Sequence, residues 1–255
     1  SPQLAYRDTP GCEPGHTKAG ADKVDTLQSL VRGNARATAA AAYFYNKPGA
    51  LCECFHSLGW GGTLQDARNI AENLVLLGIS YLVPHGFFYS THALKKHDAP
   101  PTFFFQMPYW RFFGGLSQRL ERITTAFADT WVDADTVVLD PNAGLPDRDD
   151  RDVCETLYQA LMANHAEFMV ADPDIIAAAP VRNGALQCRD LTVRRILVPP
   201  MRAPEPEWLE TAERLRQHGI ECRDITSHDE ALAAAAAAAK ASPSSLPFTV
   251  VAGDG

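Results

Sequence analysis

No apolar run in the chain reaches the roughly 18 residues that a membrane span requires, and the opening SPQLAYRDTPGCEPG lacks the layout of a signal peptide. There is no G-x-S-x-G elbow, no Walker loop, no G-x-G-x-x-G after a strand and no H-E-x-x-H. Positive charge is in deficit: 23 Lys and Arg against 31 Asp and Glu give a formal charge of -8, with the acidic residues spread along the chain. That balance argues against a nucleic-acid partner and against an anionic membrane surface. The six cysteines, Cys12, Cys52, Cys54, Cys154, Cys188 and Cys222, include no C-x-x-C and no Cys/His pair at metal-ligand spacing, so no metal site is expected. Cys52 and Cys54 leave the same face of one strand and could bridge only with distortion. Most of the cysteines read as small buried hydrophobes, which leaves the compartment open.

What is present is an ordinary globular composition, 46% hydrophobic and 21% charged, long enough to bury a core in one or two domains. The first thirty or so residues, rich in Gly, Pro, Lys and Asp, read as loop. Asn34 is a candidate N-cap for the alanine-rich helix ARATAAAAYFY, and NKPG stops it. ALCECF reads as a buried strand, HSLGWGG as a loop, and Thr63 caps TLQDARNIAENLVLLG, whose apolar residues recur at helical spacing. ISYLVPHGFFYS is a second strand, followed by the long loop THALKKHDAPPTFFFQMP and a helix over YWRFFGGLSQRLERITTAFADTW. Alternation of this kind predicts parallel strands joined by helical crossovers. A boundary is expected near residue 132, separating 1–131 from 132–255. The second part alternates again: ADTVVLDP as a strand, DRDDRDVCETLYQALMANHAEF as an acidic loop and helix, LTVRRILVPP as one strand, and EPEWLETAERLRQHG as a helix closed by Gly219. EALAAAAAAAKASPSS reads as a surface helix, and LPFTVVAGDG as a strand with no partner in view. The fold class is α/β, the second part being of the open doubly wound kind. With no phosphate-binding loop there, no flavin and no nucleotide is expected.

The chemistry concentrates at the end of ALCECF. Period-two alternation sets Glu53 on the side of Leu51 and Phe55, opposite Cys52 and Cys54. In a parallel barrel that side faces the interior near the carboxyl end of the strands, where substrates bind. An unpaired buried carboxylate costs several kcal/mol, so the site must supply donors or solvent. His56, Trp60 and His85 are the nearest by position. The alternative is a structural Glu53 paired with Arg or Lys, tying strand to helix. His85 offers a substrate contact or packing, Trp60 a sugar-stacking platform or a lid over the core. Tyr89 belongs to the same aromatic strand end, and His97 or Asp98 could reach a ligand's hydroxyls from a solvated loop. Phe103, Phe104 and Phe105 read mostly as packing.

LCECFHSLGWGGTLQDARNIAENLVLLGISYLVPHGFFYS and HDAPPTFFFQMPYWRFFGGLSQRLERI together resemble the last part of the barrel in large bacterial glycoside hydrolases of the α-L-rhamnosidase-like group (family 106) and its relatives. The match runs from about Gly33 to Pro141. The second part is similar to the glutamine-amidotransferase-like or flavodoxin-like domain that often follows such barrels. The resemblance implies that Glu53 ends the seventh barrel strand as nucleophile or general base, and that His85 ends the eighth and lines a sugar pocket. It implies a carbohydrate substrate, for which His56, Trp60, Tyr89 and Asp98 are, by their position and chemistry in the sequence, the further candidate contacts. Only 49 residues precede Ala50, whereas a complete barrel takes about 250. The remaining strands and the general acid are therefore expected from the parent chain or another chain, Glu13 in its Gly/Pro loop being a weak candidate for the acid. Two other functions stay open: a non-catalytic carbohydrate-binding or assembly module, and a small-molecule site in the second part.

Overall fold

The computed structural model describes residues 2–13, 31–97, 99–144, 146–241 and 250–252. The chain is mixed α/β with parallel sheets, and it divides into two units. One consists of Asp8–Ala39 and Pro48–Asp129, the other of Ser1–Arg7, Ala40–Lys47 and Thr130–Gly255.

The first unit holds β1 (Gly11–Cys12), the first part of α1 (Val31–Phe44), β2 (Leu51–Cys54), α2 (Leu64–Leu76), β3 (Tyr81–Pro84) and α3 (Phe113–Ala126). Its sheet has the order β1-β2-β3 and every pairing is parallel. The crossover from β2 to β3 is α2, in agreement with the strand-helix-strand alternation. Thr63 opens α2 with a capping box: its hydroxyl accepts from the Asp66 backbone N–H at 3.1 Å, and the Asp66 carboxylate accepts from the Thr63 N–H at 2.9 Å. Ala67, Ile70, Ala71, Leu74 and Val75 form its buried face. Glu72, on the opposite side, accepts from Arg68 on its own helix at 2.7 Å and from Arg119 of α3 at 2.6 Å.

Two expectations fail in this unit. Asn34 lies inside α1 rather than capping it, because the helix already includes Val31. Gly11–Cys12, expected as loop, is a strand, since pairing with Leu51 and Cys52 supplies an order that a two-residue segment cannot encode by periodicity.

The second unit contains β4 (Thr130–Val132), β5 (Thr136–Leu139), α4 (Arg148–Ala163), β6 (Met169–Ala171), α5 (Pro173–Ala178), β7 (Val181–Arg182), β8 (Ala185–Cys188), β9 (Leu191–Val193), β10 (Arg195–Val198), α6 (Pro206–Gln217), β11 (Glu221–Asp224), α7 (His228–Ala241) and β12 (Val250–Ala252). Its main sheet, β11-β10-β5-β6, is parallel throughout. The residues of β5, β6 and β10 are buried without alternation, as expected of strands covered on both faces. The alanine run of α7 buries Ala231, Ala234, Ala235 and Ala238, a helical stripe that packs on α4.

Several readings change here. LTVRRILVPP is two strands in different sheets, separated at Arg194. Cys188, read as lying in a polar connector, is a buried residue of β8. The last strand has a partner: β12 pairs antiparallel with β4, whose Thr130 and Trp131 the sequence places in the tail of a helix. The helix in question stops at Ala126, and the chain turns through Asp129 at φ 56°.

Gly78 ends α2 at φ +97°, and a Cβ there would stand 2.7 Å from the Ala39 Cβ. Gly78→Ala is expected to lower stability by about 1–2 kcal/mol, read from denaturant unfolding, because the backbone is left-handed and the space is taken. Burial alone would raise the Glu72 carboxyl, but the hydrogen bonds from Arg68 and Arg119 outweigh it and hold it below the ordinary glutamate value. A depressed folded-state value contributes stability that is present above the unfolded value, about 4.3, and lost as pH falls through the folded one. The denaturation midpoint should therefore drop below about pH 4, and the drop should be smaller in Glu72→Gln.

Candidate functional site

The carboxyl ends of β1, β2 and β3 bring together Glu13, Glu53, His56 and His85. Register and pleat decide which face each takes. Cys52 and Cys54 are fully buried, whereas Leu51 and Glu53, between them, are half-buried. Leu51 pairs with Tyr81 and Glu53 with Val83, so the four share one face. On β3 that face is open: Tyr81 is 45% and Val83 43% exposed. Among the described residues no side chain is hydrogen-bonded to or ion-paired with the Glu53 carboxylate. The alternative of a basic partner tying strand to helix thus has no candidate in the described part of the unit.

Past β2 the chain reverses sharply. Phe55 at φ 75°, Ser57 at 59° and Gly59 at 90° occupy the left-handed region. For a bulky residue such as Phe55 this costs on the order of 1–3 kcal/mol and persists only where the surroundings dictate it. Here the Phe55 ring is fully buried against Phe103, with ring centroids 5.3 Å apart. The turn presents His56, whose Nε2 lies 3.6 Å from Glu13 Oε2 and whose Nδ1 lies 3.3 Å from Ser57 Oγ. Continuing the β1–β2 register by one residue places Glu13 beside Glu53. On the other side the His85 backbone N–H donates to the Cys54 carbonyl at 2.8 Å, which holds His85 at the mouth of β3. Its ring is 6.3 Å from that of His56 and edge-on to Phe88, and its Nδ1 is buried with no hydrogen-bond partner among the described residues.

The other residues named from sequence distribute as follows. Trp60 is partly exposed and donates its indole N–H to the Lys96 carbonyl at 2.8 Å, so its ring is anchored at one edge. Tyr89 projects into solvent, 88% exposed. Asp98 lies outside the described residues, and His97 is exposed at the end of the 3-10 turn Ala93–His97. Phe103 is core, as expected, but Phe104 and Phe105 join Phe87, Trp110 and Phe113 in a chain of edge-on and stacked rings that reaches the surface. The contact of Glu13 with His56 has no signature in the sequence, because it depends on the pairing of two strands about forty residues apart.

In the second unit two carboxylates sit at the carboxyl ends of β5 and β6, and both are engaged. Asp140 accepts from the backbone and side-chain nitrogens of Asn142 at 2.9 Å each. Asp172 accepts from the Tyr45 hydroxyl at 2.6 Å; burial raises its carboxyl although that hydrogen bond works the other way.

The structure is similar to that of a rhamnosidase from Novosphingobium sp. PP1Y, with a TM-score of 0.61 and 11% sequence identity, over 98% of this chain and 25% of that one. The chain thus spans about a quarter of the length of that enzyme, and at this identity the likeness is one of fold. No family model and no curated protein matches the sequence.

A half-buried carboxylate without a basic partner costs stability, and its replacement by an apolar side chain should recover some. Glu53→Leu is expected to raise the unfolding free energy by about 0.5–2 kcal/mol. A loss of stability in that variant would reveal a structural ion pair instead.

Proposed function

We propose that the chain belongs to a glycoside hydrolase of the α-L-rhamnosidase-like kind, with Glu53 as nucleophile or general base. The observation that carries this reading is an acceptor-only side chain, without a basic partner among the described residues, on the open face of a parallel sheet at the carboxyl end of its middle strand. Carboxyl ends of such strands are where substrates bind in barrels, and charge there reads as chemistry. The open face itself supports the reading. Parallel sheets are ordinarily covered on both sides, so a face bearing Leu51, Tyr81 and Val83 calls for further structure. Further strands of a (β/α)8-type barrel, from the parent chain or another chain, would cover it and would carry the general acid. The region 132–255 would then be the flavodoxin-like or amidotransferase-like domain that follows the barrel; the parallel order β11-β10-β5-β6 is compatible with it.

Glycoside hydrolysis needs one carboxyl group to protonate the leaving oxygen and a second to attack the anomeric carbon or activate water. Glu53 has the acceptor character required of the second. His56 and His85 would supply donors, and the exposed rings of Trp60 and Tyr89 would offer aromatic faces to the apolar side of a sugar ring. The reading assigns no cofactor to the reaction.

The test is hydrolysis of an aryl α-L-rhamnoside by a chain that carries the remaining strands. Glu53→Gln should reduce kcat on the order of 10²–10⁴-fold. Undiminished turnover in that variant rules Glu53 out as nucleophile or base. If neither protein turns over but both bind the sugar, the non-catalytic carbohydrate-binding reading replaces the hydrolase.

A further inference from the structure

On the opposite face of the same sheet, Cys12 and Cys52 pair directly across the parallel β1–β2 ladder, so their side chains leave the sheet side by side. Neighbouring strands lie about 4.7–4.9 Å apart, inside the Cα separation of roughly 4.4–6.8 Å that a disulfide bridges. Cys54 is a poor competitor. It sits two residues along the same strand, near the upper limit of that range, with its thiol turned toward the Val83 carbonyl at 3.6 Å. Cys154, Cys188 and Cys222 belong to the other unit. From this geometry we infer that Cys12 and Cys52 form a reversible disulfide on exposure to a low-molecular-weight disulfide, a modification site that clamps the edge strand β1 onto the sheet.

The two sulfurs are suited to different roles. Cys12 is partly exposed, and its thiol is held below the ordinary value by the neighbouring Cys52 thiol, assisted by the Thr38 hydroxyl and opposed by burial. Cys52 is fully buried, and the neighbouring Cys12 and its burial push it up. Cys12 is therefore the attacking thiolate and Cys52 the resolving thiol. The Cys12 thiolate attacks one sulfur of the small disulfide, forming a mixed disulfide and expelling a small thiolate. Cys52 gives up its proton to that thiolate and attacks Cys12 Sγ, expelling the second small thiolate. The two protein thiols are oxidised to one disulfide, and the small disulfide is reduced to two thiols.

The consequence is local. β1 is two residues long and is tied to β2 by its ladder and by the Leu51 N–H donating to the Pro10 carbonyl at 2.8 Å. A covalent clamp at Cys12 fixes the residue after it, Glu13, beside His56. None of this rests on the hydrolase reading, and the two can fail separately.

The reduced chain is incubated with oxidised glutathione, then unfolded in denaturant, alkylated and mapped by mass spectrometry. Alkylatable cysteines should fall from six to four, with a Cys12–Cys52 cross-linked peptide that dithiothreitol releases. Cys52→Ser should hold glutathione on Cys12 without resolving it. Because a hydroxyl at a fully buried position costs stability, Cys52→Ala is the second variant for the same measurement. Recovery of both thiols alkylated in the native chain, or a bridge from Cys52 to Cys54, overturns the inference. Amide exchange at Leu51 should slow on oxidation and recover on reduction; an unchanged rate refutes the clamp.

Discussion

The in-register parallel pairing of β1, β2 and β3 is the constraint on which the first unit depends. Because side chains alternate at a period of two, a single register assigns Cys52 and Cys54 to the covered face and Leu51 and Glu53 to the open one. Slipping β2 by one residue would exchange the faces, burying a carboxylate and exposing two thiols, which is why the pairing is strongly specified. The ladder is extended at both ends by backbone bonds, Leu51 N–H to the Pro10 carbonyl and His85 N–H to the Cys54 carbonyl. The second of these seats an imidazole beside the strand that bears Glu53.

Packing then holds a costly backbone. Left-handed geometry at Phe55 would relax in a peptide, but its buried ring lies against Phe103, which in turn meets Tyr109 and Phe113. This aromatic stack fixes the reversal that swings His56 back over the strand end toward Glu13. The same rings continue outward through Phe87 and Trp110, so the aromatic packing runs without a break from the core to the surface. Strained backbone of this kind concentrates at functional sites, with the surrounding core bearing its cost.

Much of this was legible in the amino-acid order, and the remainder was not for physical reasons. The alternation in ALCECF and the cap at Thr63 are local signals, written within a few residues, and each corresponds to an element in the structure. Gly11–Cys12 and Thr130–Val132 are strands only because a distant segment pairs with them, and neither carries a period of its own. For the same reason, the nearness of Cys12 to Cys52 and of Glu13 to His56 cannot be read from spacing along the chain. At Glu53 the sequence marks a charge in an apolar strand. The open face formed with Tyr81 and Val83 needed the register.

The antiparallel ribbon of β4 and β12 joins Thr130–Val132 to Val250–Ala252, more than a hundred residues later. During synthesis β4 leaves the ribosome long before its partner exists, so its backbone amides and carbonyls are hydrogen-bonded to water while β5, α4 and the rest of the parallel sheet assemble. The ribbon is thus the last piece of that unit to close.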